Sequence, residues 1–121
     1  MKMRFPSVAL LALFVAFACP ANAAGLIPKQ FRGAWADEGA DCSKAAVDSD
    51  QGLVIDAEGY TQLEQHCSLV KVAAASQNDL NGQWECQEEG ETYRQSIRLS
   101  LSKAGKRLTI DDRILHYCGE H

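Results

Sequence analysis

The sequence predicts an all-β fold, a small antiparallel barrel or sandwich of seven to eight strands built from two similar halves and held by two disulfides. Three observations indicate this fold. Apolar and polar residues alternate with a period of two in several short segments, turn-forming dipeptides separate those segments, and a series of motifs in the first half of the chain recurs in the second.

The first residues of the chain predict a signal peptide over 1–23. Lys2 and Arg4 precede an apolar run over 8–19, and the A-x-A sequence that ends at Ala23 fits the site at which signal peptidase cuts. The run is too short to span a bilayer comfortably, which takes about 20 apolar residues. We therefore expect a protein exported to the periplasm, with no membrane contact after cleavage.

Two alternatives to cleavage remain open at this point. The apolar run could serve as an uncleaved membrane anchor. Cys19, which ends the run, could instead carry a lipid, although Pro20 directly after it and the A-x-A site beyond it disfavour lipidation.

The expected mature chain, residues 24–121, is short enough for a single domain. It keeps 10 basic and 16 acidic residues, a formal charge of −6. Nucleic acid is excluded as a partner because its phosphates would repel such a chain, whereas a basic protein partner would be attracted.

Four cysteines remain in the mature chain, and an even number in a short exported protein predicts two disulfides with three possible connectivities. They are Cys42, Cys67, Cys86 and Cys118. A metal site that uses a histidine is the alternative, but no C-x-x-C or H-x-x-H spacing supports it. The sequence therefore predicts no metal and no cofactor. The histidines considered for such a site are His66, His116 and His121.

An internal repeat is the strongest long-range pattern. The order Gly-x-Trp, Cys, Leu-x-Ile-Asp, Cys occurs once over about 31–67 and again over about 80–118. The repeat favours one bridge within each half, Cys42–Cys67 and Cys86–Cys118. A symmetric exchange of partners between the halves is the alternative.

The period-two pattern is clearest from Tyr93 onward, where Ile97, Leu99 and Leu101 share a face and the residues between them are polar. A change of phase near Leu69 predicts a β-bulge, and residues 36–51 are expected to form a long acidic loop pinned by Cys42. No segment has a helical period. The expected strands are 32–36, 52–57, 60–67, 69–75, 82–88, 92–102, 107–111 and 113–118.

No motif in the sequence indicates an enzyme: nucleophile elbow, phosphate loop and zinc helix are all missing from it. Asp111 and Asp112 are adjacent and would point to opposite faces of a strand. His66 neighbours Cys67, but a cysteine in a disulfide offers no thiolate. We expect a protein that binds rather than catalyses.

Trp35 and Trp84, the tryptophans of the two Gly-x-Trp motifs, have two interpretations. The first is that they fill the core and that each preceding glycine lets chains approach closely. The second is a ligand pocket, because a Gly-x-Trp in a first strand resembles the lipocalin and avidin barrels. A small-ligand carrier or a structural envelope protein is accordingly the alternative function.

Residues 102–107 form the one basic cluster, with Ser102, Lys103 and Lys106. An ordinary solvated hairpin would explain this cluster. It could also be a binding tip, whose hydroxyl and ammonium groups would suit the paired carboxylates in the cleft of a glycan hydrolase.

These features resemble the small proteobacterial periplasmic inhibitors of C-type lysozyme and related peptidoglycan hydrolases. Those proteins share the signal peptide, the disulfide-bonded barrel and a size near a hundred residues, and they insert an S-G-x-x-Y segment and a later Lys-bearing loop into the enzyme's cleft. This chain has Glu89-Gly90-Glu91-Thr92-Tyr93, with Glu in place of Ser, and then Lys103 and Lys106. The resemblance implies inhibition of a lysozyme or an endogenous muramidase, with Tyr93, Ser102, Lys103 and Lys106 as contacts.

Overall fold

Eight strands make up the computed structural model, which describes Met3 and residues 26–121. Apart from Met3, the predicted signal peptide and its cleavage site at Ala23 lie outside the described residues. The strands are β1 (Gly33–Asp37), β2 (Gly52–Ile55), β3 (Gly59–Gln62), β4 (Gln65–Ala75), β5 (Asp79–Glu88), β6 (Glu91–Leu101), β7 (Arg107–Ile110) and β8 (Arg113–Gly119).

The strands form one closed barrel in which each strand is antiparallel to the next and β8 pairs with β1. The predicted all-β class is confirmed, and of the two predicted architectures, barrel and sandwich, the structure is a barrel. Two short 3-10 turns, Lys29–Phe31 and Cys42–Lys44, are the helical elements of the described chain. None of its helices has the length and apolar character needed to cross a membrane.

The expected boundary between the third and fourth strands is wrong by several residues. The chain turns at 63–64, where Glu64 has a positive φ of 55°, and β4 already begins at Gln65. The bulge predicted near Leu69 is confirmed, because the β4–β5 register shifts between Leu69 and Lys71. The bulge, and not a turn, therefore accounts for the change of phase.

The inward face of β6 shows why the chain closes around a core. Ile97 and Leu99 are fully buried and Leu101 nearly so, whereas Arg98 between them is exposed. Apolar side chains from the other strands meet these residues inside the barrel. Removing such side chains from water is the main force that holds the sheet in its closed form.

Trp35 and Trp84 are both fully buried in the core. Trp35 packs edge-on against Tyr117 with ring centroids 5.1 Å apart, and Trp84 packs at a tilt against Tyr60 at 5.6 Å. The Trp35 indole N–H donates to the carbonyl oxygen of Phe31 at 3.0 Å. Within the described chain, the Trp84 indole N–H has no hydrogen-bond partner.

The glycines of the two Gly-x-Trp motifs allow close approach of neighbouring chain segments. A Cβ on Gly82 would lie 2.6 Å from the carbonyl oxygen of Lys71. A Cβ on Gly33 would lie 2.6 Å from the carbonyl oxygen of Gly119, and Gly33 also has a φ of +135°. Both positions therefore exclude a side chain.

The disulfide pairing differs from the predicted Cys42–Cys67 and Cys86–Cys118. The structure pairs Cys42 with Cys118 and Cys67 with Cys86, so the exchange between the halves is the observed arrangement. The reason is topological. The first half ends at β4 and the second begins at β5, so Cys67 lies directly opposite Cys86 with a Cα–Cα distance of 4.0 Å. The halves meet again where β8 pairs with β1.

We predict that peptide mapping of the oxidised protein under non-reducing conditions will recover the Cys42 peptide linked to the Cys118 peptide. The Cys67 peptide will be linked to the Cys86 peptide, since opposed residues on paired strands are within bonding reach. The fully reduced digest is the control and should release four separate peptides. Recovery of a Cys42–Cys67 pair would contradict the strand order described above.

The two tryptophans make a matched pair for a stability test. Trp35→Phe leaves the Phe31 carbonyl oxygen without the indole N–H that it accepts from. Trp84→Phe removes an indole N–H that has no hydrogen-bond partner within the described part of the chain. We expect Trp35→Phe to lower the free energy of unfolding by about 1–2 kcal/mol more than Trp84→Phe. Urea denaturation followed by circular dichroism measures the difference, and equal losses would show that the Trp35 hydrogen bond contributes nothing.

Candidate functional site at the two ends of the barrel

The topology sorts the connections between strands into two groups, one at each end of the barrel. Successive antiparallel strands are joined at alternate ends. The β1–β2, β3–β4, β5–β6 and β7–β8 connections thus begin at one end, which we call the acidic end. The β2–β3, β4–β5 and β6–β7 connections lie at the other, which we call the terminal end because the segments before β1 and after β8 also lie there.

The three short turns of the acidic end carry only acidic charges. Residues 63–64, 89–90 and 111–112 contain no Lys or Arg. Three of the acidic residues have a left-handed backbone, with φ of 55° at Glu64, 49° at Glu89 and 52° at Asp111. Such turns would attract a basic surface and would be repelled by a cleft that holds carboxylates.

Arg113 at the start of β8 holds the acidic end together from inside. Its Nε donates to Asp37 Oδ1 at 2.6 Å, and its Nη1 donates to Gln62 Oε1 at 2.6 Å. A third contact reaches the carbonyl oxygen of Asp50 at 3.4 Å. The side chains of Arg113 and Asp37 are only 30% and 31% exposed, so this pair is better protected from solvent than a surface ion pair.

Tyr93, predicted as an inhibitory contact, belongs to the same network. Gln62 donates to Gln65, whose Nε2 donates to the Tyr93 hydroxyl at 2.9 Å, and that hydroxyl donates to Glu88 Oε2 at 3.1 Å. We call the row Asp37, Arg113, Gln62, Gln65, Tyr93 and Glu88 the polar chain. Tyr93 therefore has two intramolecular partners at the acidic end.

Tyr60 lies beneath the polar chain, against Trp84. Burial raises the pKa of Tyr60 to about 12, and the neighbouring phenol of Tyr93 and the carboxylate of Asp111 act in the same direction. The hydroxyl consequently stays protonated and uncharged at physiological pH, so it cannot serve as a base.

Residues 102–107, the basic tip, form an ordered hairpin turn at the terminal end. The Ser102 N–H donates to the carbonyl oxygen of Arg107 at 2.9 Å, and the Gly105 N–H donates to that of Ser102 at 2.8 Å. The Ser102 Oγ also accepts from the Arg107 N–H at 3.2 Å. The backbone of the tip is thus fixed by its own hydrogen bonds.

The cations of the basic tip differ in their surroundings. Lys106 Nζ lies 5.8 Å from the centroid of the Tyr117 ring, and Arg107 Nη2 lies 3.7 Å from Glu38 Oε1. Lys103 is exposed and takes part in none of the ion pairs found among the described residues. Lys103 is therefore the cation of the tip that is most available to a partner.

The structure does not bring Tyr93 and the basic tip together. Both belong to β6 or its end, but Tyr93 lies near the acidic end and Ser102 follows the last residue at the terminal end. Ser102 lies nine positions after Tyr93 along an extended strand, a distance of about 30 Å. One insertion into one cleft could use the tip or the Tyr93 region, but not both.

A surface groove of about 430 Å³ also lies at the terminal end. Its lining mixes both signs of charge and includes Lys29, Arg32, Asp56, Tyr117 and His121. The sequence did not single out this groove. Its residues come from the segment before β1, the β2–β3 connection and the C-terminus, which no local pattern connects.

A scan against protein-family models and searches of the curated proteins and of the solved structures found no match to this chain.

Arg113 gives a test of the polar chain. We predict that Arg113→Lys lowers the free energy of unfolding by about 1–3 kcal/mol, because an ammonium cannot reproduce the fork of donors to Asp37, Gln62 and the Asp50 carbonyl. Urea denaturation measures the change. Arg94→Lys is the matched control: Arg94 is 64% exposed and pairs with Glu85 at 3.4 Å on the surface, so its loss should be under about 0.5 kcal/mol. Equal losses of stability in the two variants would contradict a stabilising role for the polar chain.

Proposed function

We propose that this protein is an exported periplasmic inhibitor that binds a lysozyme or an endogenous peptidoglycan hydrolase and blocks its catalytic cleft with the basic tip. The observation that supports this proposal is the ordered hairpin at the end of β6, whose exposed Lys103 is in none of the ion pairs found among residues 26–121.

Order in the tip favours binding because little conformational freedom is lost when it enters a cleft. The three hydrogen bonds between Ser102, Gly105 and Arg107 fix the backbone before any partner arrives. A preorganised loop on a rigid barrel therefore loses less entropy on binding than a mobile loop of the same composition.

The chemistry of the tip suits a cleft with two carboxylates. Glycan hydrolases of the lysozyme type keep such a pair on either side of the scissile bond. Lys103 can offer its ammonium to one carboxylate, and the Ser102 hydroxyl still has its proton to donate after accepting from Arg107. The acidic remainder of the barrel would complement a basic enzyme surface and speed the encounter.

The proposal relies on Ser102, Lys103 and Lys106 and leaves Tyr93 out of the contact. Tyr93 lies at the acidic end, where Glu88 and the turn residue Glu89 would face the enzyme's carboxylates and be repelled. In the polar chain its hydroxyl already has two partners.

A lipocalin-like carrier has less support than an inhibitor. Trp35 and Trp84 occupy the interior that such a barrel keeps for its ligand, and both are fully buried. The groove at the terminal end is open, and charged side chains such as Lys29, Arg32 and Asp56 lie in its lining beside apolar ones, which does not suit an apolar ligand.

We predict that Lys103→Ala raises the inhibition constant against a C-type lysozyme at least about tenfold, because the substitution removes the charge that enters the cleft. Adding Lys106→Ala should weaken inhibition further. Turbidity loss of a peptidoglycan suspension, measured over a range of inhibitor concentrations, gives the constants.

Two control variants accompany this assay. Lys71→Ala makes the same change in net charge on the outer surface of β4, away from the tip, and Tyr93→Phe alters the acidic end; both should inhibit like the unmodified protein. If the double Lys103→Ala, Lys106→Ala variant still inhibits fully, the basic tip is not the inhibitory element. If the unmodified protein inhibits neither lysozyme nor the cell's own muramidases, the function itself is wrong.

A further inference from the structure

Three side chains with metal-ligating atoms converge on the outer surface of β8. Cys42 Sγ, Cys118 Sγ and His116 Nδ1 all lie within 4.8 Å of one another. His116 and Cys118 are two residues apart on the strand, so both project to the same face. Cys42 comes from the β1–β2 loop that crosses this face. The two sulfurs form a disulfide in the structure.

His116 is oriented as a ligand to a metal would be. Its Nε2 lies 2.6 Å from the carbonyl oxygen of Ala40, which can only accept, so Nε2 carries the proton. Nδ1 is then left with a free lone pair and faces Cys118 Sγ at 3.9 Å. A backbone carbonyl that fixes the second nitrogen is the usual support of a histidine in a metal site.

The spacing fits a tetrahedral zinc ion. With ordinary Zn–S and Zn–N bond lengths, the sulfur and nitrogen ligands of such a site lie about 3.6 Å apart. The observed 3.9 Å between Cys118 Sγ and His116 Nδ1 is close to that value. The two sulfurs would have to separate, and Cys42, whose sulfur would move, lies on an exposed 3-10 turn.

The two disulfides differ in access. Cys67 and Cys86 are fully buried between β4 and β5. Cys42 is exposed and Cys118 half-buried. A reductant therefore reaches the Cys42–Cys118 bond without opening the barrel, whereas the second bond is protected.

Other contacts keep the loop in place when this bond opens. The Glu38 N–H donates to the carbonyl oxygen of Ile114 at 3.0 Å, and Ala40 is held by His116. Glu38 also contacts Arg107 at 3.7 Å. Cys42 follows these anchors by a few residues and so stays close to Cys118.

We propose that reduction of the Cys42–Cys118 disulfide converts this cluster into a Zn²⁺ site with Cys42, His116 and Cys118 as ligands and one position open to water. A dithiol reductant is oxidised to its disulfide while the two cysteines become thiols. Each thiol then loses a proton as it binds the ion, and zinc itself undergoes no redox change.

The test uses the folded protein in two redox states. A limited amount of dithiol is added, alkylation and mass spectrometry identify the opened bond, and Zn²⁺ is titrated anaerobically against a chromophoric chelator. We expect Cys42 and Cys118 to be freed first, one Zn²⁺ to bind per chain with release of two protons, and no tight binding to the oxidised protein. Co²⁺ in place of Zn²⁺ should show thiolate charge-transfer and tetrahedral d–d absorption.

Two histidine variants distinguish this site from general thiol binding. His116→Ala should weaken Zn²⁺ binding at least about tenfold. His66→Ala is the matched control: His66 neighbours Cys67 in sequence, but its ring contacts Thr61 and Ser68, so binding should not change.

Four outcomes would overturn the proposal. They are equal affinity in the His116→Ala variant and the unmodified protein, tight binding by the oxidised protein, opening of Cys67–Cys86 before Cys42–Cys118, and loss of the β circular-dichroism signal when the first bond opens.

Discussion

Closure of the sheet between β1 and β8 is the constraint on which the rest of the molecule depends. No turn joins the first and last strands, so packing and side-chain contacts must bring them together before the β1–β8 backbone ladder can form. Trp35 lies opposite Tyr117 at this seam, Asp37 contacts Arg113, and Cys42 bridges to Cys118 over a sequence separation of 76. Without these contacts two unpaired edges would be exposed and the core would open to water.

A closed meander of eight strands also places acidic and basic turns at opposite ends of the barrel. Turns that are neighbours in sequence lie at opposite ends, so the carboxylates near Glu89 and the cations near Lys103 cannot neutralise each other. The barrel is consequently polarised, with an acidic end covered by the polar chain and a terminal end that projects the basic tip. Under the proposed function, the basic tip would enter a cleft that holds carboxylates, and the acidic end would be repelled by the same cleft.

The sequence predicted local features well and long-range ones poorly, for a physical reason. The alternation around Ile97 and the bulge near Leu69 each depend on residues that are close together in the sequence. The two-residue period of apolar side chains is therefore enough to predict both. The disulfide pairing depends on which strands are neighbours in the barrel. The internal repeat favoured a bond between Cys42 and Cys67 because it defines the two halves of the chain but not the contacts between them. Arg113 and Asp37 are 76 residues apart, and no local pattern indicated that they meet.

The two disulfides contribute to the fold in different ways, and they differ in their exposure to a reductant. Cys67–Cys86 joins residues already opposed in a ladder and is sealed in the core. Cys42–Cys118 closes a far longer loop, which in the chain-entropy account stabilises the protein by about 4–5 kcal/mol, but it does so from the surface. Register between β1 and β8 is set independently by the ladder around Trp35. We therefore expect that opening the outer bond lowers stability and leaves the strand order intact. His116 lies beside this bond and not beside the buried one.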